Sequence, residues 1–251
     1  MKPTGYYNII FKRKSIRKYE TTPIEENKLD EISFYLGTLK PMYEDIKTEM
    51  KIVPLKDIKS LRPIKAPHYV LIYSEVKDGY LENAGFLLQQ VDLYLSANGM
   101  GSCWVGMAKP AKEMSTNKSL EFVIALAFGK PMEPLHRESL IEFKRKSLED
   151  ISNTSGMNEL LEAARLAPSG INSQPWFFAG GESMIHAYCI KSNILKAILY
   201  EKINKIDMGI AICHIWLAAK HFGKDIQLIC NKEAEDHAPK GYDYIVTVEV
   251  Q

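Results

Sequence analysis

Cysteine is scarce in this sequence. The four that occur, Cys103, Cys189, Cys213 and Cys230, are scattered and form no C-x-x-C pair. Neither a disulfide framework nor a thiolate zinc site is therefore written in the chain. Histidine is sparse too. His214 and His221 lie on one helical stretch with Cys213 beside them, but no further ligands complete a metal geometry, so no metal is expected. An excess of charge of either sign is missing: 32 Lys and Arg stand against 31 Asp and Glu, a net charge of +1. That balance excludes a whole-protein field for nucleic acid or a membrane surface. Long hydrophobic runs are absent as well. The most apolar stretch, MGIAICHIWLAA, is about half the ~20 residues that a membrane helix needs. The opening MKPTGYYNIIFKRK has no apolar core and no cleavage site, so it does not read as a signal peptide. No Ser–His–Asp pattern, G-x-x-x-x-G-K loop or G-x-G-x-x-G turn occurs to support hydrolysis, triphosphate chemistry or classical dinucleotide binding. The expectation is a cytoplasmic protein with reduced thiols.

What is present is a core. The chain is 46% hydrophobic, enough for one large domain or two small ones. Tyr6–Arg13 reads as a short helix ending in a basic run. TPIEENKLDEISFYLGTL places Thr22 and Pro23 before an amphipathic pattern, a helix start. HYVLIYSE and LEFVIALAFG are continuous apolar runs with β-branched residues, hence buried strands, and GSCWVG is a short strand-like segment. ENAGFLLQQVDLYLSANG is a long helix stopped at Asn98-Gly99. After a charged, proline-containing connector the themes return. MNELLEAARLA and INKIDMGIAICHIWLAAKHFG are helices; PWFFAG, MIHAYCI, IQLIC and YDYIVTVEV are strands. The order of elements thus occurs twice. NAGFLLQQVDLYLSANGMG aligns with DMGIAICHIWLAAKHFGKD, setting Ala84-Gly85 against Gly209 and Gly99 or Gly101 against Gly223. This reads as a diverged internal duplication with halves at 1–143 and 144–251, although any two amphipathic α/β units share some of this pattern. Asp207 and Glu82 are read as helix-start acids that favour the dipole, with no catalysis assigned.

Two segments carry chemistry. In FKRKSIRKY, Arg13, Ser15 and Arg17 alternate at two-residue spacing, so in an extended chain they point the same way. Two guanidiniums and a hydroxyl on one side suit a phosphate; a solvated basic run is the plainer alternative. In LAPSGINSQPW, Pro168 ends the preceding helix. Gly170 allows close backbone approach, Asn172 and Gln174 supply amides, and Pro175 predicts an extended Gln174. Such a loop can read the edge of a polar heterocycle; otherwise it is an ordinary helix-to-strand connection.

Together these segments resemble the FMN-dependent nitroreductase family, whose chains begin with R-x-S-x-R and carry A-P-S-x-x-N-x-Q-P-W after the next helix. Here that loop is Ala167 to Trp176. LYLSANGMGSCWVG, IALAFGKP and KRKSLEDI are similar to further family segments. The departure is the distance between the two motifs. Family members place them about one helix apart, whereas here Arg17 and Ala167 fall in different halves. The resemblance is closest to a single-chain, internally duplicated branch. It implies an α+β, nitroreductase-like fold whose two diverged halves form an intrachain pseudo-dimer, acting as a functional monomer. The first half then gives the phosphate clamp, the late arginine and the strand CWVG, and the second gives the loop. One FMN site is complete and the symmetry-related one, with LKPMYEDIK in place of the loop, is dead.

The resemblance also implies the site residues. Arg13, Lys14, Ser15, Arg17 and Arg145 hold the phosphate and ribityl chain, with Lys144 adding charge where the family's lysine is replaced by Phe143. Pro168, Ser169, Gly170, Asn172 and Gln174 lie along the flavin. Trp104, Val105 and Gly106 approach the ring. No catalytic side chain is singled out, because the flavin carries the redox chemistry. The implied activity is NAD(P)H-dependent reduction of a small acceptor, nitroaromatic or quinone-like, by a ping-pong hydride mechanism. A non-catalytic FMN-binding sensor or carrier, dehalogenation and flavin cleavage remain alternatives, since fold alone does not separate them.

Overall fold

Along the chain of the computed structural model, described for residues 3–60, 64–112, 114–191 and 197–251, helices and strands alternate in two similar series. The first contains α1 (Tyr7–Ile10), α2 (Glu26–Leu36), β1 (Thr48–Pro54), β2 (Ile58–Ser60), β3 (His68–Ser74), α3 (Tyr80–Ala97), β4 (Gly101–Val105), β5 (Ala108–Pro110) and β6 (Glu121–Gly129). The second contains α4 (Leu148–Ile151), α5 (Asn158–Arg165), β7 (Trp176–Gly180), β8 (Met184–Ile190), α6 (Ala197–His221), β9 (Ile226–Ile229), α7 (Lys232–Asp236) and β10 (Tyr242–Val250). The fold mixes helix and sheet, and no helix among the described residues is long and apolar enough to cross a membrane.

The chain divides into two compact units, Lys12–Glu138 and Met1–Phe11 with Ser139–Gln251. This division departs from a break at 143/144, because the first eleven residues pack with the C-terminal unit. Tyr7 stacks on His221 at 4.1 Å between ring centroids and meets Phe222 edge-on at 5.5 Å. These ring contacts join α1 to the end of α6.

In the unit Lys12–Glu138 the main sheet has the order β1-β3-β6-β4, antiparallel throughout. Every residue of β3 is buried, as its continuous apolar run requires of a central strand. The edge strand β1 carries no such run. Val53 is its one buried residue, and a half-exposed edge leaves little hydrophobic periodicity in TEMKIVP. The helix α2 starts at Glu26 and not at Thr22-Pro23. The Ile24 amide donates to His68 Nε2 at 3.1 Å, which keeps the chain non-helical up to that point. The helix α3 is buried almost all round, so its polar residues need internal partners. Asn83 Oδ1 accepts the Met42 and Tyr43 amides at 2.8 and 3.1 Å, and Gln90 bonds both backbone groups of Lys40.

In the other unit the sheet order is β7-β8-β10-β9, again antiparallel. The long helix α6 packs on α5, and His214 Nδ1 lies 2.8 Å from the Ala163 carbonyl. His214 is thus a core residue, and no group of His, Cys, Asp and Glu among the described residues could hold a metal. In each unit a helix precedes the first strand, the long helix joins the second strand to the third, and the fourth strand lies between the second and third.

Candidate functional site

The loop after α5 is the most constrained backbone in its unit. Ile171, Asn172 and Gln174 have φ of 50°, 60° and 49°, the left-handed region that side chains with a Cβ avoid. The extended Gln174 predicted from Pro175 is not observed. Its left-handed form is held by side chains: the Gln174 amide donates to Ser169 Oγ at 3.0 Å, and Gln174 Oε1 accepts the Lys146 amide at 2.8 Å. Gln174 Nε2 donates to the Asn172 carbonyl at 3.2 Å. Pro168 and Gln174 are buried, Ser169 and Gly170 half-buried, and Asn172 exposed. Ile171, at the tip, is 83% exposed.

Arg145 belongs to this cluster and not to the unit of the arginine–serine segment. Its guanidinium donates to Asn172 Oδ1 and to the carbonyls of Phe143 at 2.9 Å and Leu166 at 3.4 Å. Asn172 Nδ2 returns a bond to the Lys144 carbonyl at 3.0 Å. Lys144 itself has a left-handed φ of 52°, which turns the chain so that residues 144–146 run beside the loop. The five loop residues expected at a flavin, Lys144 and Arg145 are thus brought together.

Asp207 completes the cluster from below, and the sequence reading placed it wrongly. It is not at a helix start, since α6 begins at Ala197. Its side chain is buried, and Oδ2 accepts the Gly170 amide at 2.9 Å and lies 3.5 Å from Ser173 Oγ. Burial pushes its carboxyl well above the ordinary value, opposed by the Gly170 bond, the Ser173 bond and the Arg145 charge. One turn earlier Ile203 explains the glycine: a Cβ on Gly170 would come within 2.4 Å of Ile203 Cγ2. The close approach at Gly170 is therefore to a side chain of α6. In the sequence alignment of the two long helices Asp207 stands opposite Asn83.

The segment Arg13–Arg17 lies in the other unit. It is extended, with bridges from Arg13 to His136 and from Ser15 to Ser102, and the Ile16 amide donates to the Ser102 carbonyl at 2.9 Å. This lays it along β4, so closely that a Cβ on Gly101 would meet Ile16 at 2.7 Å. The four expected clamp residues of this segment do not share one environment. Arg13 is buried with its Nε 3.1 Å from Asp92 Oδ2 and its Nη2 3.4 Å from Ser15 Oγ; Ser15 and Lys14 are half-buried; Arg17 is exposed. Ser102 Oγ also donates to Asp92. Asp92 draws Arg13 inward, and the alternation alone could not reveal this. The Arg17 amide donates to Glu133 Oε1 at 2.9 Å, which holds that carboxyl below its usual range. On β4, Trp104 is half-buried, with its Nε1 enclosed and without a hydrogen-bond partner among the described residues. Val105 is buried, and Gly106 sits exposed in the following turn. Cys103 is buried, with its thiol pushed up by burial, as a packing residue should be.

Residues 6–219 match the family model described as "Putative TM nitroreductase". Among solved structures, a nitroreductase of Thermotoga maritima, titled putative, is 20% identical with a TM-score of 0.61 over 98% of this chain and 94% of its own. An FMN-dependent nitroreductase of Clostridium difficile R20291 is 21% identical, with a TM-score of 0.43 over 54% of this chain and 94% of its own. A protein of Bacteroides thetaiotaomicron titled as a putative NADH dehydrogenase/NAD(P)H nitroreductase is 15% identical, with a TM-score of 0.41 over 54% of this chain and 91% of its own. No curated protein matches the sequence. The family model spans most of the chain, the Thermotoga protein is similar in fold from end to end, and the chain belongs to this nitroreductase family.

Proposed function

We propose that the protein is an FMN-dependent oxidoreductase that uses NAD(P)H to reduce a small nitroaromatic or quinone-like acceptor. The observation that carries this reading is the strained loop at 168–174, held on many sides while presenting Asn172 and Ile171 to solvent. Strain persists where surrounding structure over-determines it, and such places are typically sites. The donor set suits a flavin monophosphate. Arg145 and the exposed Arg17 are guanidiniums for phosphate, with Lys14, Lys144 and Ser15 beside them in sequence. Trp104 Nε1, a donor with no acceptor among the described residues, is an orphan that a polar ring atom would satisfy. Arg13 contributes through its neighbours, because its own charge is matched by Asp92.

A bound FMN would supply the redox chemistry, hydride exchange between a nicotinamide and a small acceptor. The chain's part is binding and orientation. Pro168, Ser169, Gly170, Asn172 and Gln174 would hold one edge of the cofactor. Lys14, Ser15, Arg17 and Arg145 would hold its phosphate, with Arg13 fixing the segment behind them through Asp92, and Trp104, Val105 and Gly106 would approach its ring. The same proposal includes the internal duplication and the intrachain pseudo-dimer expected from the sequence. The identical strand order in the two units and the long helix at the same place in each support the duplication. An anaerobic mix of the flavin-loaded protein with NADH or NADPH tests the activity. Rapid bleaching of the flavin absorbance is expected; no bleaching over minutes overturns the reductase in favour of a non-catalytic FMN binder.

A further inference from the structure

We infer that Asp207 is a positioning residue: it latches the loop at 168–174 in its strained form, and flavin binding depends on that latch. The inference rests on the reading of the loop as a flavin site.

Two independent observations carry it. The first is geometric. α6 meets the loop at two successive turns, with Ile203 against the Cα of Gly170 and Asp207 Oδ2 on its amide at 2.9 Å. The same oxygen faces Ser173 Oγ. Gly170 and Ser173 bracket Ile171 and Asn172, two of the three left-handed residues. A buried acceptor on both sides of a strained pair keeps it from relaxing.

The second is the repeat itself. Asp207 aligns with Asn83 when the two long helices are superposed by sequence. Asn83 also holds the loop between its unit's preceding helix and first strand, through the Met42 and Tyr43 amides. Seven residues on, Gln90 aligns with His214. Gln90 holds Lys40 of that loop, and His214 holds Ala163 of α5. The position is thus a loop latch in both units, an amide in one and a carboxyl in the other. What the position needs is a buried oxygen acceptor, and a carboxyl or a carboxamide supplies one.

The test uses three variants and two readouts. Asp207→Ala removes the acceptor, Asp207→Asn keeps it, and Ser173→Ala removes one donor. The first readout is amide hydrogen exchange at Gly170 in the flavin-free protein. The second is the dissociation constant for FMN. Asp207→Ala is expected to speed Gly170 exchange and to weaken FMN, each by about tenfold or more. Asp207→Asn should stay within about threefold of wild type on both, and Ser173→Ala should fall between. Rescue by Asn separates a latch from general loss of stability. Where Asp207→Ala does not fold, Asp207→Asn and Ser173→Ala still decide. Unchanged exchange in Ser173→Ala and Asp207→Ala, or an Asn variant as impaired as the Ala variant, overturns the inference. If wild type binds no FMN while Gly170 exchange follows the expected order, the flavin reading fails and the latch stands.

Discussion

Arg13 Nε lies 3.1 Å from Asp92 Oδ2, and the two side chains are almost completely removed from water. The pair ties the extended segment at 13–17 to α3, with Ser102 donating to the same carboxylate. Its geometry places a full positive charge inside the unit, so it is held by partnership and not by hydration.

Breaking one side of this pair leaves an uncompensated buried charge. Asp92→Ala is expected to destabilise the protein by about 3–5 kcal/mol, and Arg13→Met combined with Asp92→Leu to recover most of that. Urea unfolding of the single and double variants measures both. Equal losses in the single and double variants would mean that packing, not charge, sets the cost.

Arg17 and Arg145 are the guanidiniums of the proposed phosphate site. Alanine at either is expected to weaken FMN by about 1.5–3 kcal/mol, the worth of a charge-assisted hydrogen bond. Titration of flavin-free protein checks this. Unchanged affinity in both variants would show that the phosphate is held elsewhere.

Asp207 makes stability depend on pH in a definite direction. Its carboxyl is raised in the folded state by burial, so the folded protein holds the proton more tightly than the unfolded chain. Stability from this group is full below the unfolded carboxylate pKa of about 3.9 and declines as pH rises toward the folded value. Asp207→Asn removes the decline. The difference in unfolding free energy between variant and wild type, followed from pH 4 to 8, should grow in favour of the variant. A flat difference would show that the carboxyl is not perturbed.

Ile171 is a β-branched residue at φ 50° and is 83% exposed. Glycine there relieves the left-handed strain and gives up little buried surface. Ile171→Gly is expected to stabilise the flavin-free protein by about 0.5–1 kcal/mol, seen as a higher Tm. A loss of stability instead would mean that the side chain packs more than its exposure indicates.

Much of this was legible in the sequence. The central strands β3 and β6 were written as unbroken apolar runs, and both long helices by their length and glycine stops. The loop was marked by Pro168, Gly170 and Pro175. The edge strand β1 was not legible, because it is half-exposed and mixes lysine and glutamate with its apolar residues. The partners of Arg13 and Gly170 were not legible either. Asp92 and Asp207 lie far away in sequence, and a lone acid in an apolar helix reads the same whether it is a surface charge or a buried acceptor. Arg145 was assigned to the wrong half for a similar reason: its bond to Asn172 depends on the turn at Lys144, whose left-handed form no pattern announced.

The central claim is a single-chain flavoprotein with one site. Sedimentation velocity of dilute protein saturated with FMN, recorded at both protein and flavin wavelengths, tests it most directly. One flavin per chain is expected, moving with a monomer-sized species. Two flavins per chain, flavin only on a dimer, or no flavin moving with the protein would contradict the account.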